Sequence, residues 1–175
     1  MSATVLVEGI SDQIALETLA ARRGREISVV PIGGAQAIGH YLRRFEDLKL
    51  AGLCDAAEES VFRRGLERAG FGSSLTRADM ERLGFYVCVE DLEAELIRAL
   101  GPERLELVLD DNGDLNAFRT FQKQPAWRGH DPAAQLRRFL HSADRRNTRY
   151  ARLLVEALDL DEVPRPLAAV LSHVT

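Results

Sequence analysis

Three short apolar runs in the first part of the chain each stop at a carboxylate and reopen on a helical segment. They are Val5-Leu6-Val7-Glu8, Leu53-Cys54-Asp55 and Val87-Cys88-Val89-Glu90-Asp91. A strand that is apolar at every position must be covered on both faces, so such runs alternating with helices predict a parallel sheet wound with crossover helices. Right-handed crossovers carry all the strand C-termini to one edge, which is where open α/β sheets bind ligands. The three acid-bearing ends are therefore expected to meet at one lip.

The rest of the chain extends this pattern. Residues 4–7 predict a first strand, and Ser11 or Asp12 is placed to cap a helix carrying Ile14, Leu16, Leu19 and Ala20 that ends at Gly24. A Val- and Ile-rich strand over 27–32 is followed by Gly33-Gly34 and a helix over 35–45. A third strand over 50–54 leads to a helix over 57–69, and a short helix is capped by Thr76. A fourth strand spans 85–89, and a helix over 91–100 is stopped by Gly101-Pro102. Beyond that point helical spacing dominates, over 103–108, 115–122, 133–141, 145–158 and 166–174. The expected organisation is a four-stranded α/β unit over residues 1–101, flanked by helices, with a helical extension over 102–175 packed on it.

Composition narrows the function classes. A chain of 175 residues that is 46% hydrophobic can bury a full core, and its net charge of −4 argues against a protein that holds nucleic acid by overall basicity. Any such contact must be local, and Arg128, Arg137, Arg138, Arg145, Arg146, Arg149 and Arg152 form a basic concentration in the last third. Cys54 and Cys88 fall inside apolar strands and read as buried thiols. With no signal-peptide pattern and no apolar run approaching a membrane span, a cytoplasmic setting without a membrane partner is expected. Gly34-Ala35-Gln36-Ala37-Ile38-Gly39 has the glycine spacing of a phosphate loop, but His40-Tyr41 stands where Lys-Ser/Thr is required. His40, His130, His141 and His173 show no ligand spacing and read as surface or packing residues, and Trp127 reads as a loop anchor.

Taken singly, each acid has a plain explanation. Asp12 suits a helix N-terminus, where a carboxylate contributes about 0.3–1 kcal/mol, and Glu58 and Glu59 suit the first turn of the next helix. Taken together, Glu8 with Asp12, Asp55 with Glu58, and Glu90-Asp91-Leu92-Glu93 would repel one another at a shared edge unless neutralised. Hard oxygen donors in this number suit Mg²⁺ or Mn²⁺.

These residues also carry a resemblance. Val7-Glu8-Gly9-Ile10-Ser11-Asp12 looks like the first motif of a TOPRIM domain, and Gly52-Leu53-Cys54-Asp55-Ala56-Ala57-Glu58 sits where that family carries Asp-x-Asp. Val89-Glu90-Asp91-Leu92-Glu93, Gln122-Lys123-Gln124-Pro125-Ala126 and Arg145-Arg146-Asn147-Thr148-Arg149-Tyr150-Ala151 resemble the C-terminal TOPRIM part of OLD (overcoming lysogenisation defect) nucleases. The resemblance implies a Rossmann-like TOPRIM fold and two-metal phosphodiester chemistry on DNA. It makes Glu8, Asp12, Asp55, Glu58, Glu90 and Asp91 the metal ligands or their supports. Glu8, Asp55 and Arg146 become the catalytic group, and Arg145, Arg146 and Arg149 the contacts to the DNA backbone.

Two positions depart from the family pattern. Ala57 replaces the second Asp, so Glu58 would have to supply that carboxylate. Asn147 replaces a Lys, so Arg145 or Arg146 would stand in, although Arg and Lys are not equivalent. The OLD ATPase region precedes the TOPRIM part in that family, which makes a separately encoded ATPase an expected partner beside DNA, with a homodimer also compatible. The competing expectation is a TOPRIM module whose chemistry has eroded and which binds nucleic acid or an ATPase. A small-molecule phosphohydrolase or nucleotidyl transferase using the same acids is a weaker third.

Overall fold

A computed structural model describes residues 3–174. Four strands, β1 (Ala3–Val7), β2 (Ser28–Pro31), β3 (Lys49–Asp55) and β4 (Phe85–Cys88), form one sheet in the order β2-β1-β3-β4, and every neighbouring pair is parallel. The α/β architecture expected from the apolar strands is the one observed.

Alternate strand residues feed two cores. Val5, Val7, Val29, Ala51, Leu53 and Cys88 face one side of the sheet, and Leu6, Leu50, Cys54, Phe85 and Val87 face the other. The second core is closed by α2 (Ile38–Arg44), α3 (Glu59–Arg68) and α4 (Arg77–Arg82), through Ile38, Leu42, Phe62, Leu66 and Met80. Gly52 lets Phe85 lie directly on β3, since a Cβ there would come within 2.5 Å of the ring.

The first core is larger because the C-terminal helices share it. α1 (Ile10–Arg22) and α5 (Leu92–Asp111) are joined there by α6 (Leu115–Gln122), α7 (Pro132–Leu140), α8 (Asp144–Ala157) and α9 (Arg165–Val174). Leu136, Phe139, Tyr150, Leu154, Leu167 and Val170 lie in the same apolar cluster as the β1 valines. The end of α8 is fixed by Arg22, whose Nη1 donates to the carbonyls of Val155 and Leu158 at 2.7 and 2.8 Å. Tyr150, wholly buried, donates its hydroxyl to Asp114 at 2.7 Å. A two-pronged Arg165–Glu81 pair ties α9 to α4.

One local expectation is corrected. The first helix begins at Ile10 with Gly9 as its N-cap, ahead of Ser11, and Asp12 reaches back to the cap backbone. As expected, the helix that starts at Leu92 stops at Gly101, which is non-helical (φ 74°, ψ 166°), and a second helical stretch opens at Pro102, a favourable first-turn residue, so α5 is two helices joined across a kink. Among the described residues no helix is long and apolar enough to cross a membrane.

Candidate metal centre

Backbone hydrogen bonds lock the strand ends together at the C-terminal edge of the sheet. The carbonyl of Glu8, the residue after β1, accepts from Gly33 and Gly34 at 3.1 and 3.0 Å, in a turn whose positive φ values (75° and 111°) call for glycine. Its carboxylate Oε1 accepts from the Asp55 amide at 2.8 Å, so one residue joins β1 to the turn after β2 and to the last residue of β3. The Ala56 amide in turn donates to the Glu90 carbonyl at 3.1 Å, which attaches the β4 exit. Asp91 caps α5, its Oδ1 accepting from the Ala94 amide at 2.8 Å.

Charge accumulates in this frame. Burial, together with the negative charges of Glu8, Asp12, Asp91 and Glu93, pushes the Asp55 carboxyl up to about 8. Burial, opposed by the Gly9 amide and reinforced by Glu93, Glu8 and Asp91, pushes Asp12 up to about 7. The Gly9 bond is 2.9 Å long, so Asp12 keeps its capping role inside the acid cluster. Glu8 is also raised, by burial and by nearby Glu58, against the Asp55 amide that favours its charged form. Four of the residues expected at the lip, Glu8, Asp12, Asp55 and Asp91, thus share one electrostatic neighbourhood. Glu58 borders it beside Ala57, in the single 3₁₀ turn over Ala56–Glu58.

Glu90 is placed differently. It sits in the left-handed region (φ 66°), a conformation that costs a non-glycine residue on the order of 1–3 kcal/mol, and its exposed carboxylate pairs with Arg98 at 3.2 Å and Arg137 at 3.8 Å. The turn sends Asp91 inward and leaves Glu90 at the rim. The arginines are also placed individually. Arg145 is exposed on α8. Arg146 lies over the Phe139 ring at 4.0 Å and donates to the Phe139 carbonyl and Ser142 Oγ at 3.1 and 2.7 Å. Arg149 holds Asn112 and Asp114. Asn147 buries an Oδ1 that has no hydrogen-bond partner.

Three further residues complete the lip: Glu93, which the sequence placed in the third acid cluster, and His141 and Arg137, which sequence spacing did not mark out as site residues. Glu93, in the first turn of α5, is only 4% exposed, and its Oε1 is buried without a hydrogen-bond partner. Burial acts to raise Glu93, but His141, a backbone amide and Ser11 outweigh it and hold the carboxyl below its usual range. His141, at the C-terminal end of α7, has its Nε2 3.7 Å from Glu93 Oε2, and this pairing holds the imidazole above its usual value. It is not the ordinary histidine that its isolated position in the sequence suggests. Arg137, one helical turn earlier on α7, donates to Asp91 Oδ2 at 2.5 Å. Asp91, Glu93 and His141 each present a donor atom within 4.8 Å of the others. Carboxylates that repel one another, an imidazole and an orphaned carboxylate oxygen form a donor set that fits a divalent cation.

Residues 2–54 match the family model described as "Overcoming lysogenization defect protein-like, TOPRIM domain". Solved structures show the same fold over nearly the whole chain. The C-terminal region of the Xanthomonas campestris pv. campestris OLD protein, in its platinum-phased structure, aligns with a TM-score of 0.72 and 20% identity, covering 98% of this chain and 91% of that one. The C-terminal region of the Burkholderia pseudomallei OLD protein aligns with a TM-score of 0.71 and 18% identity, covering 98% and 96%. No curated protein sequence matches.

Proposed function

We propose that this chain, a TOPRIM-fold protein similar to the C-terminal region of OLD proteins, is a divalent-metal-dependent nuclease that hydrolyses DNA phosphodiesters with Mg²⁺ or Mn²⁺. The observation that carries the reading is the gathering of Glu8, Asp12, Asp55, Asp91 and Glu93 at one edge, where burial and the neighbouring negative charges push Asp55 up to about 8. Such repulsion is the arrangement a bound dication relieves. When bound, the cation supplies positive charge at the scissile phosphate and makes water a nucleophile at neutral pH.

The chain's own residues do the rest. Glu8 and Asp55 form the centre of the donor set, with the Asp55 amide orienting the Glu8 carboxylate. Asp12 and Asp91 are each fixed by a helix-capping bond, which preorganises their remaining oxygens. Arg137 offers a positive group beside these acids, the position that the resemblance assigned to Arg146. Arg145, Arg146 and Arg149 on α8 remain the proposed contacts to the DNA backbone, and each lost contact lowers the salt dependence of binding. A second portion bearing an ATPase is the proposed protein partner, and a homodimer is compatible with this arrangement.

Ala57 and the orphaned Asn147 Oδ1 favour a second reading, a binding module whose chemistry has eroded. Nicking of supercoiled plasmid with Mn²⁺ separates the two. The nuclease reading expects cleavage that falls by roughly 10²-fold or more in Glu8→Ala and Asp55→Ala protein. Cleavage by both variants at the wild-type level would falsify it, and metal binding without cleavage by wild-type protein would select the binding module.

A further inference from the structure

We infer that His141 joins Asp91 and Glu93 in a mixed nitrogen–oxygen site that takes a first-row transition ion, such as Mn²⁺, Co²⁺ or Zn²⁺, in preference to Mg²⁺. The inference rests on the lip being a cation site, but not on DNA being the substrate.

Geometry supplies the first argument. The His141 Nε2 to Glu93 Oε2 separation of 3.7 Å is too long for a hydrogen bond. It is close to the spacing of two donors on one ion, roughly 3–3.5 Å when each bond is ~2.1 Å. All three residues fit within the same 4.8 Å limit, so they can converge on one point.

The second argument is the Oε1 of Glu93. Leaving a buried carboxylate oxygen without a partner costs on the order of 1–3 kcal/mol, yet Glu93 is 4% exposed and that oxygen is unpaired. An ion at the convergence point gives this oxygen the partner it lacks. Asp91 also retains acceptor capacity, since a carboxylate has about four lone-pair sites and the Ala94 amide and Arg137 are its hydrogen-bonding partners.

Donor chemistry then sets the preference. Oxygen-only sites suit Mg²⁺, which keeps most of its water, whereas imidazole suits transition ions. The Arg137 guanidinium on Asp91 disfavours a weakly held cation further, so an ion that gains a nitrogen bond has the advantage. α7 therefore contributes selectivity to a lip whose acids come from strand ends, through a histidine and an arginine one turn apart.

Titration calorimetry of the metal-free full chain with Co²⁺ and with Mg²⁺ tests this, together with visible absorption of the Co²⁺ complex. Wild-type protein, His141→Ala, His141→Gln and Glu8→Ala are compared, with circular dichroism as the folding check. The expected result is a loss of at least ~10-fold in Co²⁺ affinity in both His141 variants, a figure that removal of even an outer-shell partner reaches. Their Mg²⁺ affinity stays the same and the absorption bands shift as nitrogen is lost. Unchanged Co²⁺ affinity and spectrum in folded His141→Ala protein would overturn the inference while leaving the acidic lip intact as a metal site. Loss of all metal binding in Glu8→Ala protein alone would also overturn it, because the ion would then belong to the strand-end carboxylates. Absence of any metal binding by wild-type protein would sink this inference and the nuclease reading together.

Discussion

Asp55 shows how a single residue can carry opposite consequences for stability and function. Its carboxyl is raised from 3.8 to about 8 and that of Asp12 to about 7, so between about pH 4 and 8 the folded chain holds protons that the unfolded chain has released. Stability of the metal-free protein must therefore fall as pH rises through that window. His141, raised by Glu93, acts in the same direction, because the stabilisation of its charged form is lost as pH rises. The melting temperature of metal-free protein is expected to drop between pH 5 and 8.5, by about 2–4 °C for each kcal/mol that ionising these buried, mutually repelling carboxyls costs. Asp55→Asn, which removes the charge and keeps the shape, should flatten that profile while abolishing metal-dependent cleavage. A melting temperature that does not change with pH would contradict the raised carboxyls of Asp55 and Asp12.

At the level of elements, the sheet depends on close approach as much as on apolar content. Gly52 in β3 lies under Phe85 of β4, and a Cβ there would come 2.5 Å from Cδ1 and 3.2 Å from the Leu6 carbonyl. Gly52→Ala would normally gain strand propensity, but here it should cost about 1–3 kcal/mol through overpacking, measured as a lower urea midpoint at unchanged slope. The alternation of strand and helix, the cap at Thr76 and the span of α6 were all legible in the sequence, because each depends on neighbours within a few residues. The start of α1 was not. Sequence pattern favours Ser or Asp as the cap, whereas the Glu8 turn leaves Gly9 in that position and uses Asp12 from inside the helix.

For the whole molecule, the decisive feature is that one apolar cluster contains β1, α1, α5 and the helices after residue 111. The division at residues 101 and 102 is thus proposed as a boundary of sequence pattern, and the two parts are expected to unfold together. Thermal and urea denaturation followed by near- and far-UV circular dichroism should give one coincident transition. A fragment ending at residue 101 should bind a hydrophobic dye and lack a cooperative melt, since α1 and one sheet face would lose their cover. Two separable transitions would show that the extension is an independent unit. The same packing places α7 over the acidic lip, so folding of the extension and assembly of the candidate site are a single event.

By itself the sequence determined the α/β class, the four parallel strands, and the edge at which Glu8, Asp12, Asp55 and Asp91 collect. Apolar periodicity and strand-end position are local properties, and crossover handedness does the rest. Only the tertiary structure decided that Glu90 turns to the rim, that Arg137 meets Asp91, and that Glu93 and His141 face each other across α5 and α7. Those contacts join residues 46 to 48 positions apart through the angle at which one helix crosses another. No spacing within the chain encodes that angle, because it is set by how the shared core fills.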